Sequence, residues 1–160
     1  MIPELIAVST SCLIMTLYLA IYINTLGFPA SISATYYHTE KKWLFPVVIS
    51  ITGLCALVPL INNTPESYQF ISFLIVAAVC FVASAPAFKE EMVGKIHSTA
   101  AIILGVCALL WLILTTGCPW IAIIGLVIGV FDPRHLLFWI ETGLLYNLFT
   151  DLMTVIVMNG

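Results

Sequence analysis

Charge is what this sequence has least of. Only 8% of its 160 residues are Asp, Glu, Lys or Arg, while 62% are hydrophobic. Soluble domains carry roughly a quarter charged residues, and a soluble fold of this size could not hide so much apolar surface. The net charge of -3 is spread thinly. With no basic patch there is no partner surface for nucleic acid, and with no charge block there is no solvated tail. No CxxC and no Cys/His metal spacing occurs. Of Cys12, Cys55, Cys80, Cys107 and Cys118, four fall inside apolar runs, where Cys behaves as a small hydrophobe. A disulfide framework is therefore not expected. The N-terminal run has Glu4 but no Lys or Arg ahead of it. It lacks the positive n-region of a secretory signal and reads as a retained span.

What is present is a series of long apolar runs, most of them near the length of about 20 helical residues that crosses a bilayer core. Lipid offers no hydrogen bonds, so the backbone must satisfy itself in helices or a closed barrel. The runs show no apolar/polar alternation, which removes the barrel. The expected fold is a single all-α domain over 1–160, a polytopic transmembrane bundle of six spans at about 3–26, 43–61, 68–88, 97–114, 120–131 and 135–158. Gly27-Phe28-Pro29, Asn62-Asn63-Thr64-Pro65, Gly117-Cys118-Pro119 and Asp132-Pro133-Arg134 break the runs. The fifth span is the shortest and the sixth the most polar.

Charge placement orients the spans. Lys41, Lys42, Lys89, Lys95 and Arg134 all fall in the first, third and fifth loops. By the positive-inside rule those loops face the cytoplasm and both termini are non-cytoplasmic. Trp43, Tyr68, Trp120 and Trp139 stand at span ends, as an interfacial aromatic belt does. The expected location is the cell (inner) membrane. The expected partners are the lipid bilayer and, within it, a second copy or another membrane protein. Gly125 with Gly129, and Ala101 with Gly105, are small-xxx-small pairs that let helices approach closely; packing within the chain is their expected use.

Three features could carry chemistry. On the last span Gly143, Asn147, Thr150, Asp151 and Thr154 share one helical face. Asp151 on that stripe is expected to face other spans, as a proton relay, a substrate contact or a hydrogen-bonded structural carboxyl. Asn147 accompanies it, and Glu141 sits at the stripe's edge, within reach of Arg134. Leu145, Leu148, Leu152 and Ile156 form the opposite face and suit lipid. Second, the topology puts all three histidines, His38, His97 and His135, on one membrane face with Glu40, Glu90, Glu91 and Asp132. Imidazole and carboxylate are good zinc ligands, and interfacial contacts to headgroups are the plainer use. Third, the segment from Phe28 to His38 is too long for a tight turn and too apolar for a solvated loop. It predicts a short interfacial or re-entrant helix, with Ser33 and Tyr37 among its hydroxyl contributors.

Ser33 followed by Tyr37-His38-Thr39 at the cytoplasmic end of a span resembles the Ser-to-His stretch of the CREST superfamily, which includes the progestin/adipoQ receptors and alkaline ceramidases. His135, at the start of the last span, is similar in placement to that family's final-helix histidines. The last span has one histidine where the family has two, and Glu40 precedes the span in which the family carries its acidic residue. The resemblance implies a histidine-ligated zinc in a membrane core.

Two functional classes stand open: a structural or interaction subunit, or a small solute- or ion-handling protein using the polar face of the last span. The alternative is a metal-dependent membrane hydrolase with a cytoplasmic-face histidine site. Only that alternative calls for a cofactor, zinc. The topology has a direct test. A reporter that is active only in the cytoplasm, fused at Gly160, is expected to be silent; activity there overturns the six-span reading.

Overall fold

The computed structural model describes residues 1–84 and 90–159, those of 90–94 by backbone alone. The described residues are helical and contain no strand. In chain order they form α1 (Ile2–Leu26), the one-turn α2 (Thr35–His38), α3 (Leu44–Asn62), α4 (Gln69–Ser84), α5 (Glu90–Thr115), α6 (Trp120–Phe131) and α7 (Leu136–Asn159), with 3-10 turns at Glu66–Tyr68 and Pro133–His135. The end of the third expected span, with Pro86, lies outside the described residues.

Five helical stretches of 19 to 27 residues are long and apolar enough to cross a membrane. The expected fifth span is shorter: α6 has 12 residues, about 18 Å of helix against a hydrocarbon core of about 30 Å. Pro119 and Asp132 bound it at either end.

Contacts run from α1 to α3, α3 to α4, α4 to α5, α5 to α7 and α7 back to α1. Five long helices thus close into a ring, and α6 packs on its outside, chiefly against α7. Trp111, Phe45, Phe149, Met15 and Leu152 fill the interior. Sparse hydrogen bonds tie the ring together. Ser11 Oγ donates to the Thr52 carbonyl at 2.9 Å. The Trp111 indole N–H donates to Thr64 Oγ1 at 2.7 Å, and Thr64 in turn shares a 2.7 Å bond with Ser72. At one end of the bundle Asn62 Nδ2 donates to Glu4 Oε1 at 2.8 Å and Asn159 Nδ2 to Asn63 Oδ1 at 3.5 Å. Both ends of the chain therefore sit beside the α3–α4 turn.

The chain's other loops meet at the opposite end. Gly27 has φ +84, a left-handed value that glycine takes without strain, and Pro29 holds Phe28 extended. The chain leaves α1 and crosses the start of α7, where the Phe138 N–H donates to the Ala30 carbonyl at 3.1 Å. Phe28 packs against Phe138 and Trp139, ring centroids 5.8 and 5.5 Å away. The expected short helix appears as α2, one turn long, anchored where Tyr18 Oη donates to Thr35 Oγ1 at 2.6 Å.

The α6–α7 hairpin depends on glycine. A Cβ on Gly125 would lie 2.4 Å from the Trp139 carbonyl oxygen, and one on Gly143 would lie 3.0 Å from the Ile121 carbonyl oxygen. These are backbone atoms with no room to move, so the small-residue pair serves packing within the chain. Gly125→Leu is expected to cost about 1–3 kcal/mol by overpacking, read as a lowered unfolding midpoint in detergent. Gly105→Ala, whose Cβ would meet only Leu144 Cδ2 at 3.8 Å, should leave the midpoint unchanged.

Candidate functional site

The polar stripe of the last span does not line the bundle interior. Gly143 and Asn147 face α6, on the outside of the ring. Asn147 is buried, and its Oδ1 accepts the backbone N–H groups of Ile121 at 2.8 Å and Ala122 at 3.1 Å. Those are among the donors that the first turn of α6 leaves without a partner, so Asn147 caps a neighbouring helix. Asp151, half-buried, accepts from Thr116 Oγ1 at 2.5 Å, in the turn that leads into α6. It has found a hydroxyl partner, but at the outer seam.

Thr150 and Thr154 are exposed. Their hydroxyls return to their own helix, Thr150 to the Tyr146 carbonyl at 2.9 Å and Thr154 to the Thr150 carbonyl at 2.8 Å. Threonine satisfied this way has no need of the interior. The face expected to meet lipid is the one that is buried. Leu152 and Ile156 are within 1% of full burial and Leu148 within 8%. Branched aliphatics pack the ring densely, and that outweighs a stripe whose polar members are already satisfied.

The buried face of α7 carries one carboxylate. Glu141 stands four, seven and eleven residues before Leu145, Leu148 and Leu152, on the same helical stripe. All four line a central cavity of about 410 Å³. Glu141 does not turn back to the exposed Arg134, because its place on the helix points it inward. Its Oε2 accepts the N–H of Ile32 at 2.6 Å, in the turn before α2. That N–H is buried away from any regular element and needs an acceptor. Among the described residues no Lys or Arg pairs with Glu141, and its Oε1 has no hydrogen-bond partner.

Helices α3, α4, α5 and α7 supply most of the cavity wall, with Met15 from α1. Its polar groups are Glu141, Ser33, Ser84 and His97, with Ser50 and Thr52 along α3. His97 Nε2 and Thr52 Oγ1 are buried without a hydrogen-bond partner, and the His97 ring lies 6.5 Å from that of Phe45. The end near Leu60 and Leu152 is aliphatic. Leu54, Cys80 and Ser84 line the cavity yet are exposed, so it is open to the outside of the bundle.

The three histidines keep separate company. His38 is exposed, its Nδ1 2.9 Å from the Ala34 carbonyl of its own turn. His135 Nδ1 is 2.9 Å from Asp132 Oδ2. His97 lines the cavity. Among the described residues no three His, Cys, Asp or Glu side chains form a group able to hold a metal ion. The side chains of Glu90 and Glu91 lie outside the described residues. Asp132 also accepts the Trp139 indole N–H at 3.1 Å; that bond first, and His135 second, hold its carboxyl below the usual carboxylate range. Of the two hydroxyl candidates, Ser33 lines the cavity and shares a 3.1 Å bond with Ser31, while Tyr37 is exposed and stacked edge-on to Tyr36.

Comparison with known proteins adds no name to this geometry: no protein-family model, no curated protein and no solved structure matches the chain.

The site therefore centres on Glu141 and the cavity. Its sequence signal was a lone carboxylate on an aliphatic stripe. Phe45 and Thr52 gave no comparable signal. Asn147→Leu is expected to destabilise the protein by about 1–3 kcal/mol, since it leaves two buried N–H groups of α6 without an acceptor. Asp151→Asn keeps an acceptor for Thr116 and should unfold at nearly the wild-type temperature, by the same thermal assay.

Proposed function

We propose that this chain is an integral membrane protein that takes a small, largely apolar solute into the cavity inside its five-helix ring. In this reading it crosses the cell membrane six times, with α6 as the short fifth crossing and both termini non-cytoplasmic. The observation that carries the reading is the cavity itself. At about 410 Å³ it lies within the range of small-molecule sites, roughly 300–1,000 Å³, which are mostly apolar with a few placed polar groups. A cavity whose only task was packing would be expected to collapse, because interiors fill to crystal-like density. One further feature supports solute handling over a purely structural role: Leu54, Cys80 and Ser84 line the cavity and are exposed, which gives a solute a way in from outside the bundle.

The sequence-based preference for the Asn147–Asp151 face as the solute contact gives way here to Glu141. A second copy or another membrane protein remains the proposed partner for the outer face of α6, where Trp120, Ile124 and Val130 are exposed.

The test is saturable binding of a neutral, environment-sensitive dye such as Nile red to protein in lipid nanodiscs, against empty nanodiscs. Wild-type protein should show a saturable blue-shifted component. Gly105→Phe, which places a ring in the cavity, should remove it while leaving the helical circular dichroism intact. A dye signal equal to that of empty nanodiscs overturns the reading.

A further inference from the structure

The cavity has a chemical polarity and a shape, and together they narrow its occupant. Along α7 its wall runs from Glu141 to Leu152, eleven residues or about 16 Å of helix. Among the described residues its one acidic group is Glu141, which lines it together with Ser33 and His97. The far end is lined by Leu60, Ile75 and Leu152 and offers no polar side chain. Space of this kind suits an elongated molecule with one polar head.

The head is set by what Glu141 lacks. A carboxylate withdrawn from water is costly unless it is both paired and hydrogen-bonded. Oε2 has the Ile32 N–H, but among the described residues neither oxygen has a cationic partner, and Oε1 has no donor at all. Lys41, Lys42, Lys95 and Arg134 are exposed and make no ion pair with it; Lys89 lies outside the described residues. A solute carrying positive charge would supply what is missing. Phe45 lines the same end of the cavity, and an aromatic face adds attraction for a cation, above all a weakly hydrated one.

We infer that the cavity is built for a lipophilic cation: one apolar chain with a single positively charged head, the head against Glu141 and Phe45 and the chain lying toward Leu152. This rests on the solute-binding reading above and names its substrate class. Glu141 is then the counter-ion of the bound solute as well as the acceptor that holds the chain before α2 in place. The two tasks fall to different oxygens, so they do not compete. A lipophilic anion would meet the Glu141 carboxylate head-on, and a neutral chain would leave Oε1 without a partner.

Displacement of Nile red from protein in nanodiscs separates the possibilities with three compounds of one shape: decyltrimethylammonium, its uncharged carbon isostere 2,2-dimethyldodecane, and decyl sulfate. The two amphiphiles are kept below their micelle concentrations and the alkane below its solubility, and each is corrected for partition into empty nanodiscs. The cation is expected to displace the dye at least about tenfold more tightly than the neutral isostere, the anion least of all. Glu141→Gln retains an acceptor for the Ile32 N–H, so the fold should persist while the preference for the cation over its isostere disappears. If that variant does not fold, the ranking of the three compounds on wild-type protein decides the matter alone. Equal displacement by all three, or a preference for the neutral or anionic compound, overturns the cation assignment and leaves solute binding standing. Absence of saturable dye binding in the first place overturns solute binding and this inference with it.

Discussion

Backbone hydrogen bonds that no helix can make for itself fix the two most buried polar contacts of the last helix. A bilayer core supplies no water to satisfy a stray N–H. Among the breaks in regular structure, the turn before α2 and the turn before α6 lie against α7. At each break a side chain from α7 reaches across: Glu141 takes the N–H of Ile32, and Asn147 takes those of Ile121 and Ala122. These two contacts set the rotation of α7, and the rotation decides which of its faces is core.

That rotation has a functional consequence. Turning Asn147 and Gly143 to the outer seam brings Leu145, Leu148 and Leu152 inward, and Glu141 comes with them. A ring of five long helices around large aliphatic and aromatic side chains does not close completely. What it leaves is a cavity with a carboxylate at one end, open to the outside of the bundle. The same carboxylate thus anchors the non-helical segment at Ile32 and Ser33 on the cavity wall and presents its second oxygen to whatever enters. Structure and site share one residue, and substitutions there must be chosen to separate the two roles, as glutamine does by keeping an acceptor.

Much of the architecture was legible in the residues. Apolar runs marked the helices, Gly27, Pro29, Asn62, Pro119 and Pro133 marked their ends, and the glycines of α6 marked a tight helix contact. The segment from Phe28 to His38 was recognisable as neither loop nor span. The site was less legible. The hydroxyls of Thr150 and Thr154 suggested an interior polar stripe, yet each is satisfied by a carbonyl of its own helix and tolerates exposure. The three histidines, grouped in the sequence by their expected topology, lie apart, one in the cavity, one beside Asp132 and one on the exposed turn of α2.

Composition and run length by themselves determined that the chain is helical and suited to lipid, because hydrophobic length and backbone satisfaction are properties of a segment in isolation. Only the tertiary structure decided which side of each helix is the inside. Helices apolar on every face carry no amphipathic signal to orient them, so rotation is left to packing volume and to a few long-range hydrogen bonds. Those join residues far apart in the chain, Ile32 with Glu141 and Ile121 with Asn147, and no local pattern announces them.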